Sequence, residues 1–284
     1  MKTNCELPNS MLKMNAYLND YDFVLFHLYS VDKTYREYYQ GMRKYRPNRL
    51  MILDNSAYEF FIKGDELDVD GYMTAIQELQ PDMFLLPDVL MNKWDTILGS
   101  QKFILKWESQ AKGCPAQPMA VLQGNTVAEL IDCAKEYKEM GIVNIAVPFH
   151  NSFFAEYSKN DESEFNNHLR NDWRLHAGAI GLDDEYALGR VLFLHDNKNK
   201  LNKFQHVHLL GSHQPLEKFY YNESIFSFIK TMDTGYPVKC AIAGYKLGKE
   251  PQKPNVIIDD FLNSELSNAT EKLIAANVQA FKQY

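Results

Sequence analysis

Six short apolar runs, each ending at a polar residue or a turn, constrain the fold of this chain more than any other feature. They are FVLFHL (23–28), LMILD (50–54), MFLLPD (83–88), MAVLQG (119–124), NIAVP (144–148) and HVHLLG (206–211). Short runs rich in branched apolar residues are typical of strands that are buried on both faces. Three amphipathic stretches, 70–80, 94–111 and 126–141, lie between the runs and predict helices. The last of them begins with Thr126 and Glu129 in capping-box spacing.

Strands and helices that alternate at intervals of roughly 30 residues indicate parallel βα units. Weaker strand candidates at 177–182 and near Asp233 bring the expected number of strands to about eight. We therefore predict an α/β fold, a single (β/α)8 TIM-like barrel over residues 1–284. The alternative is a doubly wound open sheet, but no GxGxxG turn follows the first strand. The polar and aromatic segment 149–174 is interpreted as an insertion or lid, and 256–284 as a closing C-terminal helix.

The composition excludes several classes of protein. With 45% hydrophobic and 24% charged residues, the chain is expected to fold rather than to be disordered. No apolar run approaches the roughly 20 residues that cross a membrane, and the first residues do not resemble a signal peptide. Four scattered cysteines favour reduced thiols and a cytoplasmic location. A net charge of -7 argues against a generally basic nucleic-acid coat protein, but a local basic face remains compatible with it.

Polar side chains follow three of the predicted strands at the point where each strand ends. They are Asp54, Asp88 and Gln123, and the loop at 211–213 follows a later strand. In a barrel of this type the functional groups lie at the carboxyl ends of the strands. The alternative is that each aspartate only caps the helix that follows it. That alternative explains one aspartate well, but it explains the pair together with Gln123 less well.

These residues resemble the guanine transglycosylases, which exchange a guanine in a nucleic acid for a 7-deazaguanine. The D-S-G-G-F-Q motif of that family is similar to LDNSAYEF (53–60), and its second conserved aspartate to Asp88 in FLLPDVL. Its later Gln-Gly is similar to Gln123-Gly124, and its H-Y-L-M-G segment to 208–211. A nucleophilic aspartate follows that segment in the family, and Asp233 is at the corresponding position. The resemblance covers roughly residues 50–245, in the same order and with compatible spacing.

The resemblance implies a role for each of these groups. Base exchange with retention requires two displacements at C1′, so that an enzyme carboxylate must hold the sugar covalently. Asp233 is the expected nucleophile. Asp54 is the expected general acid and base, because the leaving guanine needs a proton and the incoming base must lose one.

Recognition of the base is expected from a further set of groups. The Asp88 carboxylate would accept from the N1–H and the 2-amino group, and the Gln123 amide would donate to O6. Tyr58 would stack on the ring, although a core tyrosine is the alternative interpretation. Smaller groups complete the expected pocket, and they are Ser56, Gly124 and the backbone near Ala146.

A guanine must leave the base stack to enter such a pocket, so that another part of the protein must hold the phosphates. The segment 33–49 interleaves basic residues with tyrosines, as in surfaces that bind single strands. The candidate contacts are Arg36, Arg43, Lys44, Arg46, Arg49 and, in a weaker second patch, Lys246. The alternative is a solvated amphipathic helix with its tyrosines on the inner face. These two interpretations are equally compatible with the sequence.

Two departures from the family affect the choice of substrate. Ser56-Ala57 replaces the Gly-Gly pair and Glu59 replaces the final glutamine, so that the base pocket must differ. The cysteine and histidine ligands of the zinc site in the tRNA enzymes do not follow Asp233, which favours the phage and bacterial DNA-modifying branch. We therefore expect a DNA-guanine transglycosylase with DNA and a free 7-deazaguanine as partners, and no metal or cofactor. A homodimer is compatible with the sequence. The alternatives are a tRNA-guanine transglycosylase, a glycosidase or nucleoside hydrolase, and a non-catalytic nucleic-acid-binding paralogue.

Overall fold

The structure is a computed structural model that describes residues 1–111, 113–149, 153–160, 164–180, 185–212, 215–247 and 261–284. Its strands are β1 (Lys2–Cys5), β2 (Asp22–Leu25), β3 (Met51–Asp54), β4 (Met83–Leu85), β5 (Gln117–Val121), β6 (Asn144–Val147), β7 (His206–Leu209) and β8 (Ile229–Thr234). Its helices are α1 (Asn15–Leu18), α2 (Phe26–Val31), α3 (Lys33–Tyr45), α4 (Ala57–Lys63), α5 (Val69–Leu79), α6 (Lys93–Gln110), α7 (Val127–Glu139), α8 (Phe153–Asn160), α9 (Glu164–Ile180), α10 (Glu185–Asp196), α11 (Lys198–Leu201), α12 (Pro215–Tyr221), α13 (Tyr236–Ile242) and α14 (Asn268–Gln283).

All strands of the described ranges belong to one sheet, in the order β1-β8-β7-β6-β5-β4-β3-β2. The strands form a nearly closed, eight-stranded parallel barrel in an α/β fold, consistent with the TIM-like barrel that the sequence predicts. Every residue of β2, β3 and β6 is buried, as expected for strands that are covered on both faces. Because β3, β4 and β5 are parallel neighbours, their carboxyl ends lie at one edge of the sheet.

The strand prediction is wrong at one place and incomplete at another. Residues 177–180 are the end of α9, not a strand, and residues 181–182 lie outside the described residues. Two of these four residues are alanines, which have the highest helix propensity, and the helix that precedes them continues through the run. The remaining strand is β1, whose KTNC sequence has no apolar run and is buried by pairing with β8. The predicted strand near Asp233 is confirmed as β8.

The predicted helices are confirmed as α5, α6 and α7. The capping box is also present, because the Thr126 hydroxyl accepts from the Glu129 N–H at 3.1 Å. The Glu129 carboxylate in turn accepts from the Asn125 N–H at 2.6 Å. An N-terminal pair of this kind satisfies N–H groups that have no partner within the helix. Local sequence therefore determines where α7 begins.

The chain forms two compact units. The central unit comprises Tyr21–Pro148 and Phe204–His208, and the terminal unit comprises Met1–Asp20, Phe149–Lys203 and Leu209–Tyr284. The predicted boundaries of a single domain over 1–284 stay a prediction. No helix in the described ranges is long and apolar enough to cross a membrane.

The segment 149–174, predicted as an insertion or lid, contains α8 and the first part of α9, while 150–152 and 161–163 lie outside the described residues. Trp173 is fully buried and stacks on Tyr220 with ring centroids 5.4 Å apart. The helices of this segment therefore contribute to the core of the terminal unit. A role as a lid stays a prediction.

Gly189 allows α8 and α10 to approach each other closely. A Cβ atom at position 189 would lie 1.8 Å from the Phe154 carbonyl oxygen, a distance that no side chain can occupy. Phe154 and Phe193 are both fully buried at this crossing. The glycine is therefore required by packing rather than by backbone conformation.

The C-terminal helix is confirmed as α14, although it begins later than predicted and residues 256–260 lie outside the described residues. The buried Asn277 side chain donates to the carbonyls of Pro237 and Tyr245 at 3.2 and 2.8 Å. Its Oδ1 accepts from the Leu247 N–H at 2.9 Å. One buried carboxamide thus attaches α14 to α13 and to the chain that follows α13. Whether α14 closes the barrel stays a prediction.

Candidate active site

The central unit places the Asp54 carboxylate at the end of β3, immediately before a tight turn. Its Oδ2 accepts from the Ser56 N–H at 2.7 Å, and the side chain is 8% exposed. The Ser56 hydroxyl accepts from the His27 N–H at 3.1 Å and lies 3.0 Å from His27 Nδ1. The Asp54 carboxylate, which is the predicted general acid and base, is therefore nearly buried, and the backbone of its own turn orients it.

Asp88 and Gln123 are in direct contact. Gln123 Nε2 donates to Asp88 Oδ2 at 2.7 Å, and Asn55 Nδ2 donates to Asp88 Oδ1 at 2.8 Å. Burial raises the pKa of the Asp88 carboxyl, while the two amide donors oppose part of that rise. We call Asp54, Asn55, Ser56, Asp88 and Gln123 the Asp88 cluster. It joins the ends of β3, β4 and β5 by side-chain hydrogen bonds.

Two residues in the left-handed backbone region belong to the Asp88 cluster or contact it. Ser56 has φ 59° and Met91 has φ 60°, values that cost non-glycine residues energy. The Met91 N–H donates to Gln123 Oε1 at 2.9 Å, so that the strained turn helps to orient the carboxamide. Strained residues of this kind are concentrated at functional sites. The strain is therefore a second indication of function, independent of the chemistry of the side chains.

Tyr72 lies buried beneath the Asp88 cluster. Its hydroxyl lies 3.2 and 2.8 Å from the carbonyl oxygens of Leu53 and Leu85, which are near the carboxyl ends of β3 and β4. Burial raises the pKa of the Tyr72 phenol well above its ordinary value, and the nearby charges of Asp54 and Asp88 raise it further. The tyrosine therefore remains neutral and holds the two strand ends together.

The terminal unit contains Asp233, in β8. The side chain is 3% exposed, and the Gly211 N–H lies 3.1 Å from each of its carboxylate oxygens. Gly211 has φ 58°, and this left-handed conformation directs its N–H to the carboxylate. The Ser212 N–H donates to the Asp233 carbonyl oxygen at 2.8 Å. A backbone loop therefore holds the predicted nucleophile.

A fully buried ion pair supports that loop. Arg190 Nε donates to Glu217 Oε1 at 2.6 Å, and both side chains have no exposed surface. Arg190 Nη1 donates to the Leu210 carbonyl at 2.7 Å, while Glu217 Oε2 accepts from the Ser212 hydroxyl at 2.9 Å. The pair therefore fixes the loop at two of its residues. Because the loop donates to Asp233, the pair also influences the position of that carboxylate.

The remaining residues of the predicted base pocket differ in their surroundings. Tyr58 lies on α4 and is 46% exposed, which differs from the core interpretation. Gly124 approaches Glu129 so closely that a Cβ would lie 2.7 Å from the Glu129 Cβ. Ala146 is fully buried in β6, and its carbonyl accepts from the Leu122 N–H at 2.9 Å. Gly124 and Ala146 thus have structural roles, and their predicted contact with a base stays a prediction.

The predicted phosphate contacts on the segment 33–49 are mostly engaged within the protein. Arg43 forms an ion pair with Asp82 at 3.1 Å, and Arg49 one with Asp22 at 2.9 Å. Asp82 and Asp22 lie at the amino ends of β4 and β2, at the edge of the sheet opposite to the Asp88 cluster.

The other members of this segment support the same interpretation. Arg36 donates to the carbonyls of Tyr29 and Ser30 at 2.9 and 2.8 Å. Tyr35 and Tyr39 are buried on the inner face of α3. Lys44, Arg46 and, in the terminal unit, Lys246 are exposed. This arrangement favours the amphipathic-helix interpretation, and binding of nucleic acid here stays a prediction.

Asn55, Glu6 and Arg190 are among the residues that sequence reasoning missed and that the structure brings into these clusters. Asn55 follows Asp54 directly, and its position between two motif residues is a usable signal. Glu6 lies next to β1, a strand that the apolar pattern does not reveal, and it forms a hydrogen bond with Asp233. Arg190 lies on α10, outside every motif. Their roles follow from long-range contacts, which single-sequence patterns do not contain.

Comparison with protein-family models and with curated proteins gives no match for this chain.

Proposed function

We propose that this protein exchanges a guanine of DNA for a free 7-deazaguanine, through a covalent intermediate between Asp233 and the sugar. The observation that carries the proposal is the Asp88 cluster, in which the Asp88 carboxylate accepts from the Asn55 and Gln123 carboxamides, while the Asp54 carboxylate lies at the end of the neighbouring strand β3. Such a set is complementary to guanine, which offers donors at N1 and N2 and an acceptor at O6. The choice of DNA over tRNA follows from the resemblance described above.

The existing contacts of the Asp88 cluster are compatible with binding of a base. Each Asp88 oxygen accepts one amide N–H, and a carboxylate oxygen can accept more than one. The Gln123 nitrogen uses one hydrogen on Asp88 and carries a second one. The base would therefore extend a hydrogen-bond network that is already ordered, which reduces the entropy cost of binding.

In the proposed reaction, an Asp233 oxygen attacks C1′ while the bond from C1′ to N9 of guanine breaks. The Asp54 carboxyl gives its proton to the departing base, and the sugar remains as an ester of Asp233. The incoming 7-deazaguanine then loses its N9 proton to Asp54. Its N9 attacks C1′ and releases the Asp233 carboxylate. Each carboxylate therefore returns to its starting state after two displacements.

The test is an exchange assay in which the protein is incubated with labelled 7-cyano-7-deazaguanine and with single-stranded DNA, duplex DNA or tRNA. We expect label in DNA, and label that enters only tRNA would show that the polymer is wrong. Release of free guanine without incorporation would indicate a hydrolase. If no polymer reacts, the protein is not a transglycosylase.

Variants test the assigned roles. Asp233→Asn and Asp54→Asn should each reduce exchange by at least 10²-fold, which is the usual scale of nucleophilic and acid–base catalysis. Asp65→Asn is the matched control, because Asp65 is exposed in the loop after α4. Denaturing electrophoresis should show a protein–DNA adduct with the wild type and none with Asp233→Asn. Normal exchange by both variants at Asp233 and Asp54 would refute these roles.

A further inference from the structure

Glu6 and Asp233 form a pair of carboxyl groups within the terminal unit. The strands β1 and β8 are parallel, with Asn4 opposite Asp233, and the Glu6 N–H donates to the Thr234 carbonyl at 3.0 Å. Glu6 is two residues beyond Asn4, so that its side chain lies on the same face as that of Asp233. The two side chains form a hydrogen bond with each other. A carboxyl–carboxylate hydrogen bond requires that one partner holds a proton.

The surroundings determine which partner holds the proton. The Gly211 N–H donates to the Asp233 carboxylate, and the positive charge of Arg190 also favours its ionised form. On the side of Glu6, Lys239 is the facing cation, and burial next to Asp233 disfavours ionisation. Burial raises the pKa of Asp233 to about 6 and, together with the charge of Asp233, raises that of Glu6 to about 8. Between these values Glu6 is the donor and Asp233 is the carboxylate.

We propose that Glu6 is a positioning residue for Asp233, which by donating its carboxyl hydrogen holds the nucleophilic carboxylate in one orientation. The inference rests on the proposed function for its catalytic meaning, but the proton-sharing pair does not depend on which reaction the protein catalyses. When Asp233 becomes an ester, the same hydrogen can remain on its carbonyl oxygen, so that no proton moves between the two groups. The Asp233 carboxylate thus accepts from the Gly211 N–H and from the Glu6 carboxyl.

The first experiment measures the pair without any substrate. Protein labelled with ¹³C at the side-chain carboxyls of Asp and Glu is titrated by NMR, with Glu6→Gln to assign the Glu6 signal. We expect that signal to titrate near pH 8 in the wild type and at a lower pH in Asp233→Asn, because burial remains but the charge of Asp233 no longer raises the pKa of Glu6. Glu223→Gln serves as control, because Glu223 is exposed and its removal should not move the Glu6 signal. A Glu6 signal that titrates near pH 4.5 in the wild type would overturn the pairing.

The second experiment measures base exchange as a function of pH. The wild type should show a bell-shaped kcat/KM profile with limbs near pH 6 and 8. Glu6→Ala should lower kcat at least tenfold with little change in KM for the free base. Glu6→Gln should recover most of kcat, because an amide N–H still donates, and should lose the alkaline limb.

The outcomes separate the two proposals. If the wild type exchanges no base, the proposed function fails, whereas the NMR titration still decides whether the pair exists. If the wild type is active and Glu6→Ala matches it in rate and pH profile, the positioning role is wrong and the proposed function stands. If Glu6→Ala does not fold, the kcat/KM profile of Glu6→Gln decides. An alkaline limb at the same pH as in the wild type overturns the proposal.

Discussion

Replacing Arg190 with methionine is the most informative test of how the terminal unit holds Asp233. The substitution keeps an apolar stem of similar length and removes the charge that faces Glu217 at 2.6 Å. At an effective dielectric constant of about 20, the attraction at that separation is about 6 kcal/mol. Ser212 and Tyr221 still donate to Glu217 at 2.9 and 2.7 Å and offset part of the loss. We therefore expect a loss of about 3–5 kcal/mol in the free energy of unfolding.

The measurement is urea unfolding at pH 7, followed by circular dichroism, together with the melting temperature, which should fall by on the order of 10 °C. Arg43→Met is the matched control, because the side chains of Arg43 and Asp82 are 20% and 39% exposed. That control should lose no more than about 1 kcal/mol. In Arg190→Met/Glu217→Gln, removal of the unpaired buried charge should recover at least about 1 kcal/mol. Equal losses in Arg190→Met and Arg43→Met would refute the reasoning.

Three further predictions concern packing, hydrogen bonding and pH. Gly189→Ala should lose at least about 2 kcal/mol of stability, because its Cβ clashes with the backbone of Phe154. Gly41→Ala should gain about 0.5–1 kcal/mol, because Gly41 lies in α3 and its Cβ would meet nothing within 4 Å. Urea unfolding compares the stabilities of the two variants. Tyr72→Phe should lose about 1–3 kcal/mol, because it removes the one hydroxyl hydrogen that the buried carbonyls of Leu53 and Leu85 share, and a loss below about 0.5 kcal/mol would contradict this role. The folded-state pKa values of Glu6 and Asp233 are both raised, so that the folded protein holds more protons than the unfolded chain between pH 4 and 8. Stability should therefore fall as the pH rises through this window and level off above it, and Glu6→Gln should flatten the fall between pH 6 and 8; equal slopes in unfolding experiments at fixed pH would argue against the pair.

Much of the barrel follows from local pattern. The apolar runs predict β2 to β7 because a strand covered on both faces must be apolar at successive positions. β1 is not predicted, since Lys2, Thr3 and Asn4 carry no apolar signal and are ordered by pairing with β8. The run at 177–180 shows the opposite error, in which a short apolar sequence that could be a strand continues a helix. Pairing partners thus decide what short runs of intermediate composition become.

The candidate site is predictable to a similar extent. Asp54, Asp88 and Gln123 are found from their positions after apolar runs, and the structure joins Asp88 and Gln123 directly. The basic segment 33–49 misleads, because a list of cations does not show that Arg43 and Arg49 face Asp82 and Asp22. Charges become a binding surface only when tertiary contacts leave them exposed.

The sequence by itself determined the strands of the central unit and the polar residues at their ends, because both depend on neighbours within a few positions. Tertiary structure alone decided that Glu6 meets Asp233, although 227 positions separate them by their residue numbers. It also decided that Arg190 and Glu217 are buried together beneath the loop at 210–212. Such partners are selected by the free energy of burying charged groups, which is favourable only when the fold brings the opposite charge or a hydrogen-bond donor into contact.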